Sequence, residues 1–577
     1  MTATWVLLSL ALLVALLVHG RLSPALLFCG WAGGYHLLGL ISERELLESY
    51  ANPGLAVLLL LLLISLVLER APLIERFSDT LLKGGERLAT FRMCLVTAAC
   101  SAFLNNTAVV STLLGTITRQ RHHPASRLLL PLSYAAVLGG ITTLVGTSTN
   151  LVVNSFAERA GLPSISMFQM TTVGVPVALA CIVCLTLVAR WLPVRTGDDS
   201  GPRQAYFLEA RLSAGSPLID RSIEANRLRN LDGLFLVEIV RGGRLISPVS
   251  PEEILHADDV LIFTGEVEKM QVIDRFPGLQ VFGTRADDLL RSNLVEVVIS
   301  SDSELANRTL REVDFRTMFD AGVVGIRRGD KRLTGQLGRI PLKVGDALLL
   351  AAGADFAQHR NLARNFHRVG GAPLHPKLTQ PQTRWVVGGF ASVIIAAATN
   401  VLPLFAGLLL LLATFLASGL LSMAEIRRRF PFELILVIGA ALAIARVLES
   451  SGGAAIISDF VAHVFSDLGV WGAFIGIYLM TVILTEVVTN NAAAALAFPI
   501  ALSTANAFGA DPTPFVMLVA YGASAGFLIP FGYQTHLMVY SPGRYRVMDF
   551  VRTGTPVALV YATVVLLLVP RVFPFFP

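Results

Sequence analysis

The sequence predicts a polytopic α-helical membrane protein built from two matching halves, with a pair of small α+β domains inserted between them. Three observations predict it. Of 577 residues, 54% are hydrophobic and only 15% charged, and the mean hydropathy is +0.65. Those values exclude an ordinary soluble protein. Two apolar segments are each interrupted by adjacent asparagines, Asn105-Asn106 in the first and Asn490-Asn491 in the second. The elements around the two interruptions follow the same order.

In the first half, apolar runs near 4–20, 24–42 and 54–69 are long enough, or nearly so, to span a bilayer. The run after Met1 lacks a basic leader and reads as a retained helix, not a cleaved signal. Residues 70–91 mix apolar positions with Arg70, Glu75, Arg76, Asp79, Lys83, Glu86 and Arg87, and read as an amphipathic helix in the interface. Segment 92–118 is apolar and breaks at Asn105-Asn106. A basic loop at 119–127 follows, then a helix at 128–145 running into Gly146, and a helix at 168–192. Basic loops stay in the cytoplasm. Both ends of 92–118 then lie on one side, so the segment enters and returns as a re-entrant hairpin. Such backbone is tolerated only where protein or a water-filled cavity surrounds it.

From about 204 to 367 charges become frequent, and strand-like alternation appears at 233–241 and 260–263. An internal repeat places Arg221 with Arg308 and Asp259 with Asp346. These residues are in register with the TrkA-C (RCK C-terminal) pattern, which the two units resemble. The resemblance implies small α+β domains that bind a regulatory ligand or serve as dimer contacts. A purely structural insert is the alternative. The expected division is 1–203 for the first membrane half, 204–290 and 291–370 for the two small domains, and 371–577 for the second membrane half.

The second half repeats the first: runs near 384–400, 403–423 and 431–448, a mixed stretch at 449–470, and the segment 471–509 broken at Thr489-Asn490-Asn491. A helix at 514–531 runs into Gly532, and the last helix lies near 554–574. The basic stretches at 425–429 and 544–552 belong inside, so the second hairpin opens outward. The two halves are therefore inverted relative to each other, with about ten spans in all. Both termini are expected in the periplasm, and the inserted domains in the cytoplasm, of a cell inner-membrane protein. Cys181 and Cys184 form a single CxxC inside an apolar run and read as buried helix residues, not metal ligands.

Two interrupted segments in corresponding places of two halves point to a substrate site at the membrane midplane. Neither interruption carries Lys or Arg. A fixed cation is thus not the anion anchor. Helix N-termini offer free N–H groups and partial positive charge for an oxyanion, while amide oxygens and free carbonyls suit a hard cation such as Na⁺. An anion flanked by two cations is self-consistent at low dielectric. Glu486 is an ionisable group within an apolar segment, either functional or bonded to free backbone N–H groups at the hairpin. His536 stands where the other half has Asn150, and a satisfied histidine is its ordinary reading.

The paired motifs resemble the Ser-Asn-Thr motifs of the divalent anion:Na⁺ symporter family within the ion transporter superfamily. The likeness covers essentially the whole chain. It implies the inverted-repeat ion-transporter fold and alternating-access symport of Na⁺ with a small divalent oxyanion, sulfate ahead of C4-dicarboxylates. By motif, Asn105, Asn106 and Thr107 fall on the first Ser-Asn-Thr, and Thr489, Asn490 and Asn491 on the second. The implied sodium ligands are Ser101, Asn105, Asn106 and Gly146 at one site, and Thr485, Asn490 and Gly532 at the other, with Thr147 and Tyr533 bordering the anion. The family's Ser is Asn105 and Thr489 here, and its second Thr is Asn491, which leaves the anion and the second coupling ion open between sulfate and dicarboxylate, and between Na⁺ and H⁺. A homodimer is implied, as is the lipid bilayer as solvent. A Na⁺/H⁺ or arsenite-type antiporter of the same superfamily is a competing reading. So is a ligand-regulated channel, although no Thr-Val-Gly-Tyr-Gly-like filter is present. No pattern suggests an enzyme, a prosthetic group or a nucleic-acid partner.

Overall fold

The computed structural model describes the chain apart from residues 1, 20–22, 52, 69, 72–81, 121, 196–205, 229–230, 232–233, 243, 247–248, 266–275, 283–293, 301–302, 334–336, 353–355, 357–358, 360, 369–377, 400, 465–467 and 577. The expected domain boundaries at 203/204, 290/291 and 370/371 lie outside the described residues, as do residues 72–81 of the interfacial helix expected over 70–91.

The first helical region comprises α1 (Thr2–His19), α2 (Pro24–Leu37), α3 (Glu43–Tyr50), α4 (Pro53–Leu68), α5 (Glu86–Ser101), α6 (Asn106–Arg119), α7 (Ala125–Gly140), α8 (Ser148–Arg159) and α9 (Thr171–Val188). Residues 86–91 thus belong to the first turns of α5 and not to an interfacial helix. Glu86, at the helix N-terminus, pairs with Arg127 at 2.8 Å, which fixes that end against the basic loop. The second region comprises α12 (Gln380–Ala398), α13 (Leu404–Ala417), α14 (Met423–Arg429), α15 (Phe432–Ser450), α16 (Gly453–Val464), α17 (Gly469–Val487), α18 (Asn490–Ala507), α19 (Pro512–Ala523), α20 (Gln534–Tyr540) and α21 (Val547–Val572). Among the described residues four stretches are long and apolar enough to cross a membrane: Glu43–Leu68, Thr171–Trp191, Gly469–Val487 and Val547–Val572. The other expected spans form helices that are shorter or more polar. The protein is a polytopic helical membrane protein.

Packing in the two regions follows one plan. Helix α5 packs on α7 as α17 packs on α19, and α6 packs on α7 as α18 packs on α19. The short helix after each break crosses over: α20 packs on α6 and α7 of the first region, and α8 on α18 and α19 of the second. Helices α9 and α21 pack together. One apolar cluster runs through both regions and includes Tyr134, Phe474, Phe515, Phe527 and Tyr561.

Between the helical regions stand two five-stranded antiparallel sheets. The first contains β1 (Tyr206–Leu212), β2 (Leu234–Arg241), β3 (Arg244–Ile246), β4 (Val260–Gly265) and β5 (Leu279–Phe282) in the order β3-β2-β4-β1-β5. The second contains β6 (Leu294–Ile299), β7 (Ala321–Arg328), β8 (Lys331–Leu333), β9 (Ala347–Ala352) and β10 (Phe366–Arg368) in the order β10-β6-β9-β7-β8. Short helices α10 (Phe315–Phe319) and α11 (Leu362–Asn365) lie in this unit. Read from the hairpin edge, the two orders are identical. Alternating apolar residues make separate cores, around Leu212, Ile239 and Phe263 in one and Ile299, Phe319 and Leu348 in the other. Arg241 clamps buried Asp259 with two hydrogen bonds of 2.9 and 2.8 Å, and Arg328 clamps Asp346 with two of 2.7 Å. In each pair the carboxylate holds the guanidinium above its ordinary pKa.

The second unit contacts the segment around the C-terminal end of α20. The Gly329 N–H donates to Ser541 Oγ (3.1 Å), whose own hydroxyl donates to the Gly345 carbonyl (2.5 Å). Arg546 Nε donates to Asp330 at 2.6 Å. The C-terminal end of α20 is thus clasped by the β7–β8 turn and the turn before β9.

Candidate functional site

Each apolar segment with paired asparagines folds as helix, short break, helix. In the first, Asn105 is the N-cap of α6, its Oδ1 accepting from the Thr107 N–H at 2.9 Å. Its amide oxygen therefore caps the helix end. Asn106 turns inward and is buried. Ser101 Oγ, at the end of α5, donates to Asn106 Oδ1 at 2.6 Å. The second segment repeats the arrangement. Thr489 is the N-cap of α18, its hydroxyl accepting from the Ala492 N–H, and Thr485 Oγ1 donates to Asn490 Oδ1 at 2.9 Å. Thr485 Oγ1 also lies 2.5 Å from the Ala523 carbonyl.

The two clusters meet at Tyr533, the residue before α20. Asn106 Nδ2 donates to the Tyr533 hydroxyl at 2.8 Å. Asn490 and Thr147 stand close to the same hydroxyl. A hydrogen-bonded chain therefore runs Ser101, Asn106, Tyr533 across both regions, and the Thr485–Asn490 pair stands beside its end. Outer bonds reinforce it. Thr107 Oγ1 donates to Gln534 Oε1 at 3.3 Å, while Ser148 and Thr149 donate to Asn491 Oδ1, each at 3.3 Å. Thr147 is the N-cap position of α8. The N-terminal ends of α6, α8 and α18 thus converge on one polar locus, each adding N–H groups and positive dipole.

The expected residues fall in three groups. Ser101, Asn106 and Tyr533 are hydrogen-bonded in one group, Thr485 and Asn490 in a second, and Thr147 and Asn490 stand close to the Tyr533 hydroxyl. Thr107 and Asn491 sit at its rim. Asn105 and Thr489 serve as helix caps, and Thr489 is exposed. Gly146 and Gly532 line the clusters through backbone. A Cβ on Gly146 would lie 2.5 Å from the Gly140 carbonyl and 3.0 Å from that of Ala102, and one on Gly532 would lie 3.4 Å from the Thr485 carbonyl. Gly140 was not foreseen; its missing side chain makes room for Asn106, since a Cβ there would lie 2.9 Å from Asn106 Oδ1. Gln534, Ser148 and Thr149 were also missed. A break rich in hydroxyls and amides beside a foreseen glycine was their one sequence signal.

Donor chemistry at both clusters is all oxygen: a hydroxyl, an amide Oδ1 and crowded backbone carbonyls. That set fits a hard cation such as Na⁺ and does not fit a soft metal. Among the described residues no group of three or more His, Cys, Asp or Glu is placed to hold a metal ion.

Two buried groups have structural partners. Glu486 accepts from the N–H groups of Phe527, Leu528 and Ile529 at 2.9, 2.8 and 3.1 Å, holding the second break in place. His536 is wholly buried, with Nδ1 at 2.7 Å from Ser133 Oγ and Nε2 at 2.9 Å from the Gly526 carbonyl. A neutral ring accepting from Ser133 and donating to Gly526 satisfies both nitrogens. Asn150, its counterpart, donates to the Gly140 and Thr143 carbonyls at 3.2 and 2.8 Å.

Comparison with known proteins agrees with this architecture. A citrate transporter family model (CitMHS) matches residues 3–520. The chain is 31% identical to a putative sulfur deprivation response regulator of Chlamydomonas reinhardtii, over 92% of this chain and 94% of that protein. It is 26% identical to an uncharacterized transporter of Escherichia coli over 99% of both chains. Sodium/sulfate cotransporter 1 of Chlamydomonas reinhardtii is 28% identical over 62% of this chain and 42% of its own length. With a family match over most of its length and full-length transporter relatives, the chain belongs to the citrate transporter family of membrane transporters.

Proposed function

We propose that this protein is a secondary active carrier that couples Na⁺ to the symport of a small divalent oxyanion, sulfate first, by alternating access. The observation that carries the reading is the pair of hydroxyl–amide clusters, Ser101 with Asn106 and Thr485 with Asn490, the first bonded across the two regions to the Tyr533 hydroxyl and the second standing beside it. Each amide turns its oxygen to the hydroxyl beside it, and Asn106 sends its N–H to the centre. In this reading the oxygens, with the carbonyls near Gly146 and Gly532, ligate Na⁺, and the N–H groups with Thr147 and the helix N-termini receive the anion. Cation binding raises the potential at the centre, so the two ligands bind cooperatively.

The equivalent packing of the two helical regions supports an inverted repeat in which α5–α6 and α17–α18 are re-entrant hairpins. The two identically ordered sheets are read as paired TrkA-C domains, cytoplasmic, open to a small regulatory ligand, in an inner-membrane homodimer. The sodium/sulfate names of the algal relatives favour sulfate. The description of the family model favours a carboxylate as the second reading, citrate or a C4-dicarboxylate. Uptake of labelled sulfate, succinate and citrate into proteoliposomes, with and without an inward Na⁺ gradient, separates them. Sulfate uptake that rises with the gradient is expected. Uptake of no anion, or uptake indifferent to Na⁺, overturns the proposal.

A further inference from the structure

The pseudo-symmetric site has one position that breaks its symmetry at the centre. After the glycine of each break the first half has Thr147 and the second has Tyr533. A hydroxyl is present in both, but the phenol reaches across the interface. It is hydrogen-bonded to the asparagine tip of the other half and stands close to the tip of its own half and to Thr147. The Tyr533 oxygen accepts an N–H from Asn106 at 2.8 Å, the kind of bond an anion oxygen would accept from that amide. Its ring is seated beside His536, 5.6 Å between centroids, and the histidine is locked by Ser133 and Gly526. A bulky group on a locked neighbour keeps its place.

We propose, resting on the carrier reading above, that Tyr533 is the specificity-determining residue of the site and restricts it to compact tetrahedral oxyanions. The phenol oxygen divides the space between the two tips. A tetrahedral dianion has its oxygens clustered about one atom and fits on one side of the hydroxyl, sharing the remaining N–H groups of the two amides and the helix ends. A dicarboxylate or tricarboxylate carries its charges at the ends of a carbon chain. To reach both tips it must pass through the position the phenol oxygen holds, and there it meets a half-buried polar group that it cannot replace. Discrimination of this kind comes from excluded volume and stranded hydrogen bonds, and both are larger than the effect of a missing methylene. Because the equivalent backbone position already carries Thr147, a threonine at 533 is sterically at home.

The test uses full-length protein in proteoliposomes with an inward Na⁺ gradient. Labelled sulfate uptake is challenged with unlabelled sulfate, succinate and citrate. In the wild type, sulfate competes and the carboxylates do not. In Tyr533→Thr, sulfate uptake falls several-fold, but succinate or citrate competition relative to sulfate strengthens by about ten-fold or more. Tyr533→Phe keeps the bulk and loses the hydroxyl; it continues to exclude carboxylates while the apparent KM for sulfate rises. Tyr533→Leu, which stops short of the hydroxyl position, reads the same ratio if the threonine variant does not fold. Carboxylates that compete as well as sulfate in the wild type overturn the inference. So does an unchanged ratio in folded Tyr533→Thr or Tyr533→Leu, or loss of all uptake in folded Tyr533→Thr. Failure of the wild type to take up sulfate defeats the carrier reading and this inference with it, whereas intact wild-type uptake with unaltered selectivity in the variants defeats the inference alone.

Discussion

The two broken segments share a backbone plan and differ in what stabilises it. In the first, Thr143 Oγ1 donates to the Ala102 carbonyl and Asn150 donates to two carbonyls, so the break from Ile141 to Thr147 is held by neutral side-chain donors. In the second, Glu486 stands at the position of Ala102 and accepts three backbone N–H groups, and His536 stands in place of Asn150. Asn150 and His536 act alike, each beside the equivalent carbonyl, Gly140 or Gly526, whereas the second half adds a carboxylate that holds N–H groups where the first has Ala102. The hydroxyl–amide pairs, in contrast, are the same in both. What is kept between the halves is the hydroxyl–amide pair; what differs is the brace behind it.

The largest effect should come from the kept part. Asn106→Ala removes the amide that joins Ser101 to the Tyr533 hydroxyl, and Asn490→Ala removes the amide paired with Thr485 beside it. Each should weaken anion uptake and Na⁺ dependence together, by about 1–3 kcal/mol, or roughly ten- to hundred-fold in apparent affinity. Parallel uptake titrations of anion and Na⁺ check this. Wild-type behaviour in both variants would remove the functional meaning of the symmetry.

The braces come next. Glu486→Ala strands three backbone donors in the interior and should cost about 3 kcal/mol, partly recovered where water enters. Glu486→Gln, which keeps an acceptor oxygen, should cost less. Thermal unfolding in detergent ranks the two variants, and equal melting temperatures for Ala and Gln would show that the three N–H bonds do not act as the brace. His536→Asn makes the second half resemble the first. It loses the Ser133 bond and ring packing, a cost of about 1–2 kcal/mol in stability. The pH profile of Na⁺-driven uptake should keep its shape. A profile that changes shape would turn His536 from a brace into a proton-coupling group.

The smallest effect sharpens the same kind of comparison in the inserted units. Gly329 and Gly242 occupy equivalent hairpin turns with φ of +59° and +55°. Alanine at either position should cost about 1 kcal/mol through the left-handed backbone. A Cβ on Gly329 would also lie 2.7 Å from the Tyr540 ring, whereas nothing lies within 4 Å of one on Gly242. Gly329→Ala should therefore loosen the second unit from α20 and speed limited proteolysis there, while Gly242→Ala should not.

Much of the plan is legible in sequence because it depends on local pattern. Apolar run length reports helices, alternation reports strands, and the asparagine pairs stand out because amides are costly in apolar surroundings without partners. The repeat of Asp259 and Asp346 reappears as two identically ordered sheets. Glu486 was foreseen as either functional or bonded to backbone, and the structure places it on three N–H groups.

Other features are decided only by packing. Spacing alone could not separate Asn105 from Asn106. One caps α6 and the other faces Ser101, because successive residues at a helix start point in different directions. Tyr533 reaches Asn106 across 427 positions of sequence, and that meeting requires α20 to cross onto the first region. The first turns of α5 carry enough charge to read as an interfacial stretch, yet the Glu86–Arg127 pair continues the helix there. Sequence by itself determined which residues are expensive to bury and how the halves repeat. Tertiary structure decided which of those residues face one another, because partner choice for a buried amide or carboxylate is made by whatever backbone packing brings within hydrogen-bond reach.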